Sequence, residues 1–158
     1  MNNKLIQHTI RQLQEIQDGH NWLDENFRNK IDGLSDEEAF TRPIPELHSV
    51  AELIAHLVIW RRQSIRRLKA RKTEASGNET DDWPSNATLQ QTGWAELKAS
   101  LYESQHELIW LLNEEDDEYL DNHYSAEHTF AYLIRGLIHH DLYHLGQIGI
   151  TVKLLKSR

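Results

Sequence analysis

The strongest constraint on the fold is a long apolar run near the end of the chain, from about Ala126 to Lys156. It contains Ile138-His139-His140-Asp141-Leu142-Tyr143-His144-Leu145-Gly146-Gln147-Ile148. Apolar residues recur there at three- and four-residue steps, which predicts one helix. On a wheel of about 100° per residue, Leu133, Leu137, His140, His144, Ile148, Thr151 and Leu155 share a narrow face. Two imidazoles, one turn apart, stand where a packed helix ordinarily carries leucine. Burying both costs free energy unless their ring nitrogens find partners. A metal ion is the partner that the i, i+4 spacing suits best, because both rings project the same way. The rest of the chain must then supply the other ligands.

Three further helices are predicted. The first spans about Asn3 to Ile31, on a stripe of Ile6, Ile10, Leu13, Ile16, His20, Leu23 and Phe27. His20 lies on that stripe, where a hydrogen-bonded core histidine is the expected role and closure of a metal site the sharper one. Ser35-Asp36-Glu37-Glu38 forms a short turn in the connection after Gly33. The second helix starts at Ser49, an N-cap completed by Glu52 as a capping box, and fades near Lys72. Its stripe is Val50, Leu53, Ile54, Leu57, Ile65 and Leu68, with His56 on the flank between Leu53 and Trp60. A lone histidine there is ordinarily structural; it gains interest because a histidine pair elsewhere leaves a ligand to be supplied. A polar stretch, Thr73 to Thr88, is the long connection, and Trp83 within it either covers a pocket or pins the loop. The third helix covers about Leu89 to Asn113, with Trp94, Leu97, Leu101, Leu108 and Leu112 inward, and the acidic run Glu114 to Glu118 ends it. Four long amphipathic helices predict an all-α four-helix bundle, one domain over residues 1–158, with a long connection between the second and third helices.

Charge and composition narrow the function. A formal charge of −8 argues against a nucleic-acid partner. The basic run Arg61, Arg62, Arg66, Arg67, Lys69, Arg71 and Lys72 reads as a solvated helix end. The absence of cysteine excludes disulfides, thiolate ligands and a cysteine nucleophile, so any thiol must come from outside. The first residues lack the apolar centre of a signal peptide and no run is long enough for a membrane span, so the cytoplasm is the expected compartment.

Asp141 follows His140, so the metalloprotease pattern His-Glu-x-x-His is not met. A di-metal site is suggested by Glu103-x-x-His106 and, less well, by Asp141-x-x-His144, but Glu103 and His106 point away from the inward face of their helix. Glu52 and Asp141 are candidates to orient ligand rings. Their ordinary roles, a capping residue and a solvated helix residue, are the stronger ones. His8, His48, His106, His123, His128 and His139 have no comparable arrangement and read as surface or structural.

Ser49-Val50-x-Glu52-Leu53-Ile54-x-His56-Leu57, followed by His140-x-x-Tyr143-His144-x-Gly146-Gln147-Ile148, resembles the DinB/YfiT-like superfamily over nearly the whole chain. The resemblance implies a four-helix bundle in which His56, His140 and His144 hold a divalent metal ion, zinc or nickel first, with copper and iron(II) also suited to three imidazoles. Members commonly carry a further histidine and an arginine where this chain has Tyr143 and Leu145. Neither is a ligand position, but a substrate contact made by the arginine does not carry over.

The resemblance also implies the chemistry. Some relatives transfer a low-molecular-weight thiol, such as bacillithiol, mycothiol or glutathione, to an electrophilic small molecule; others are described as metal-dependent hydrolases, in which the ion activates water. Thiol transfer is preferred here, because no base stands out beside the histidines. A non-catalytic metal-binding stress-response module is the third reading. A homodimer is expected from the way related bundles pair.

Overall fold

The computed structural model describes residues 2–70 and 82–157. Its α-helices are α1 (Lys4–Gln17), α2 (Phe27–Ile31), α3 (Asp36–Phe40), α4 (Val50–Ala70), α5 (Asn86–Thr92), α6 (Trp94–Asn113) and α7 (Phe130–Lys156), with a 3₁₀ turn at Asp117–Asp121. There is no strand among the described residues, only an isolated bridge between His123 and Thr129. The fold is all-helical. α4 packs against α6 and α7, and α1 against α6 and α7, around one core that includes Ile6, Leu13, Ile54, Leu57, Leu101, Leu108 and Ile148. No helix among the described residues is long and apolar enough to cross a membrane.

The first predicted helix is broken. α1 stops at Gln17, where the amides of Asp18 and Gly19 both donate to the Gln14 carbonyl. The chain then folds back so tightly that a Cβ on Gly19 would lie 2.8 Å from the Glu15 Cα. Asn21 donates to the carbonyls of Glu15 and Glu25, and Asn26 to that of Gly19, which satisfies main-chain groups a continuing helix would have used. His20 and Leu23 therefore leave the core stripe, and His20 is solvent-exposed beside Asp24.

The second helix begins as expected. The Ser49 amide donates to Glu52 Oε2 at 2.8 Å and the Glu52 amide to Ser49 Oγ at 3.1 Å. Arg42 clasps the same carboxylate through Nε and Nη2, so Glu52 anchors the helix start. Of the predicted connection, residues 73–81 lie outside the described residues, as do Arg71 and Lys72 of the basic run. Its described end is helical from Asn86, capped by Ser85. The third predicted helix divides at Gly93, whose φ of 88° is unfavourable for a residue with a Cβ. α7 begins four residues later than expected, with Thr129 accepting from the Tyr132 amide.

Two charged residues expected in solvent are in the core. Arg61 Nη2 donates to Asp141 Oδ2 at 2.8 Å, and both side chains are 1% exposed. Arg61 Nη1 also donates to the Leu101 carbonyl at 3.1 Å, so one guanidinium ties α4 to both α6 and α7.

Candidate metal centre

α7 supplies His140 and His144 on successive turns, and α4 brings His56 alongside. The Nε2 atoms of His56 and His144 lie 3.0 and 3.1 Å from that of His140. One ligand atom from each ring falls within 4.8 Å of the others, and the group can hold a metal ion. Nitrogen ligands about 2.0–2.1 Å from zinc stand roughly 3.3 Å apart in a tetrahedron, close to the two shorter separations.

The outer ring nitrogens explain why the inner ones converge. His56 Nδ1 lies 3.0 Å from the Asp82 carbonyl oxygen, and His144 Nδ1 lies 2.6 Å from Gln147 Oε1. A carbonyl oxygen only accepts, so each Nδ1 carries the hydrogen and each Nε2 presents a lone pair to the centre. A neutral His140 can donate from Nε2 to only one of these two lone pairs, whereas a cation satisfies all three rings at once.

An added proton, which would make one ring an imidazolium, is disfavoured. Burial lowers the His140 pKa to about 4, helped by the neighbouring His144 and His56. Burial also leads the lowering at His56 and at His144, against the raising effect of their hydrogen bonds to Asp82 and Gln147. Neutral imidazoles at physiological pH are the form that binds a metal. The donor set therefore fits a divalent ion.

Trp83 covers His56. Its ring stacks between those of His48 and His56, with centroids 3.9 and 4.0 Å away and interplanar angles of 12°. The preceding residue is fixed by Trp60, whose Nε1 donates to Asp82 Oδ2 at 3.1 Å. His48, which reads from sequence as surface or structural, thus supports the site from behind.

The other candidates lie elsewhere. His20 is 90% exposed and pairs with Asp24 at 3.2 Å, so it does not close the site. Glu103 and His106 are exposed on α6, in keeping with rejection of a di-metal site. Asp141, one residue from His140, turns to Arg61 rather than to a histidine ring. The Asp82 main-chain carbonyl and the Gln147 amide escaped sequence reasoning. Gln147, three residues after His144, was visible in principle as a same-face partner; a main-chain oxygen carries no such signal.

A cavity of about 310 Å³ opens beside the cluster. His56, Trp60, Ser64 and Arg67 line it from α4, Leu133, Gly136, Leu137 and His140 from α7, with Tyr124 and Tyr132 at one end.

Two core helices of this all-helical protein thus converge three histidines, a group that can hold a metal ion, beside an apolar cavity. The family model of the DinB superfamily matches residues 21–148, and the chain belongs to that superfamily. No curated protein and no solved structure matches.

Proposed function

We propose that the protein is a metal-dependent enzyme that transfers a low-molecular-weight thiol to an electrophilic small molecule. In this reading His56, His140 and His144 hold a divalent ion, zinc or nickel first. α1, α4, α6 and α7 are the four long members of a DinB-type bundle, one domain over residues 1–158. A long connection joins the second and third of these, α4 and α6, and the chain works as a cytoplasmic homodimer. The observation that carries the catalytic reading is the cavity, which is lined by two of the three histidines. A purely structural ion is ordinarily closed off by a fourth protein ligand.

A divalent ion held by neutral imidazoles supplies Lewis-acid stabilisation of a thiolate at neutral pH. In the reaction the thiol loses its proton and its sulfur forms a bond to an electrophilic carbon. If the electrophile is an epoxide, the carbon–oxygen bond breaks and the oxygen takes up a proton. The chain's own contribution is to hold three lone pairs on one point, to exclude water with Trp83, and to offer an apolar space for the electrophile. Asp82 is poorly placed as a base for the hydrolase alternative. Its carboxylate accepts from Trp60 and lies on the outer, Nδ1 side of His56, 3.6 Å away.

Elemental analysis of protein purified without added metal, beside His56→Ala and His140→Ala, tests the site. About one equivalent in the parent, lost in both variants with helicity kept, supports it. Absence of metal, with no uptake of zinc or nickel on titration, overturns it. Incubation of loaded protein with single thiols and an epoxide, with mass detection of the thioether, tests the reaction; hydrolysis without thioether would favour the alternative.

A further inference from the structure

We propose that the cavity between α4 and α7 takes a small ligand with an apolar or aromatic body and one anionic group, and that Arg67 receives the anion. The proposal rests on the reading of the histidine cluster as a catalytic centre, since it names the class of molecule that centre acts on.

The cavity is two-ended. His56 and His140 stand at one end; Arg67 and Tyr124 belong to the other. Eleven residues of α4 separate His56 from Arg67, a rise of about 16 Å along the helix. Between them the walls are Trp60, Leu133 and Leu137, which offer flat and apolar surface to a ligand body. A volume of about 310 Å³ is at the small end of ligand pockets.

Arg67 gives the cavity its polarity. Its guanidinium lies over the Tyr124 ring, 5.6 Å from the centroid, which restrains the side chain without neutralising it. Among the described residues, no carboxylate forms an ion pair with it, whereas Arg61 on the same helix is paired with Asp141. Among the described members of the basic run on α4, Arg67 is the one that lines the cavity. A planar guanidinium favours a carboxylate or phosphate oxygen pair, and low-dielectric walls strengthen that attraction. A neutral or cationic ligand of the same shape gains nothing from it.

Gly136 supplies a clean way to close the cavity. It lines the space, and a Cβ placed on it meets no atom within 4 Å. Gly136→Leu therefore fills the cavity from an exposed helix position while raising helix propensity.

Calorimetric titration of the full chain, metal-free and zinc-loaded, with phenylbutanoate, phenylbutanol and phenylbutylamine tests the proposal. In metal-free protein, where a carboxylate has no ion to bind, phenylbutanoate is expected to bind at least about tenfold more tightly than the other two. Arg67→Met should erase that preference, and Gly136→Leu should abolish binding of all three with zinc uptake unchanged. Equal binding of acid and alcohol, a preference that survives Arg67→Met, or no binding of any probe would overturn the proposal. Zinc uptake, read separately, reports on the histidine cluster, so the two readings fail independently.

Discussion

Arg61 and Asp141 are joined at 2.8 Å inside the core, one residue along α7 from His140 and five along α4 from His56. The pair therefore locks the two helices that bring the three histidines together. Arg61 Nε and Asp141 Oδ1 have no hydrogen-bond partner, so the pair is held chiefly by one direct contact and the Leu101 carbonyl. Burial raises the Asp141 pKa, and the guanidinium opposes that rise.

Removing one member strands the other charge. Asp141→Ala is expected to cost about 3–5 kcal/mol in urea unfolding of the metal-free protein. The double variant Arg61→Met, Asp141→Leu should recover most of that loss, because it removes both desolvation penalties. A cost below about 1 kcal/mol for Asp141→Ala would show that the pair is not an organising contact.

Gln147 keeps the His144 Nε2 lone pair aimed at the centre through the 2.6 Å contact at Nδ1. Gln147→Ala should weaken zinc binding about 10–100-fold in a competitive chelator titration, with helicity unchanged. An unaltered affinity would mean that packing alone orients the ring.

The metal-free protein should lose stability on mild acidification. The three histidines have folded-state pKa values below the ordinary imidazole value of 6.5, His140 at about 4. Between those limits the unfolded chain binds more protons than the folded one, so stability rises with pH. It is fully present above 6.5 and declines as pH falls, with the His140 share lost once pH passes below about 4. Melting temperature should fall already between about pH 6.5 and 5, before most carboxylates titrate. His140→Ala should flatten that slope. An equally steep slope in the variant would place the titrating groups elsewhere.

Gly93 joins α5 to α6 at a φ of 88°. Gly93→Ala is expected to destabilise the protein by about 1 kcal/mol or more, although a Cβ there meets no neighbour. Thermal unfolding would show it; no change would mean the junction relaxes into a continuous helix.

The four long helices were legible because each buries one face and their apolar positions repeat with the helical period. Ser49 and Glu52 announced the start of α4 through a local motif, and His140 with His144 announced an inward pair. The breaks were less legible. The end of α1 depends on Asn21 and Asn26 reaching distant carbonyls, and the Gly93 break on a backbone angle that glycine permits but does not require.

Arg61 shows the limit most clearly. It stands in helical step with Leu57 and Leu68, yet its charge reads with the exposed basic run, and only Asp141 opposite it makes burial tolerable. The chain alone determined its helical periodicity, its lack of thiols and the residue types able to hold an ion. Which charges are buried, which carbonyl orients His56, and where a cavity opens beside the cluster depend on contacts between residues 26 to 84 positions apart. Such contacts have no local period, so folding sets them.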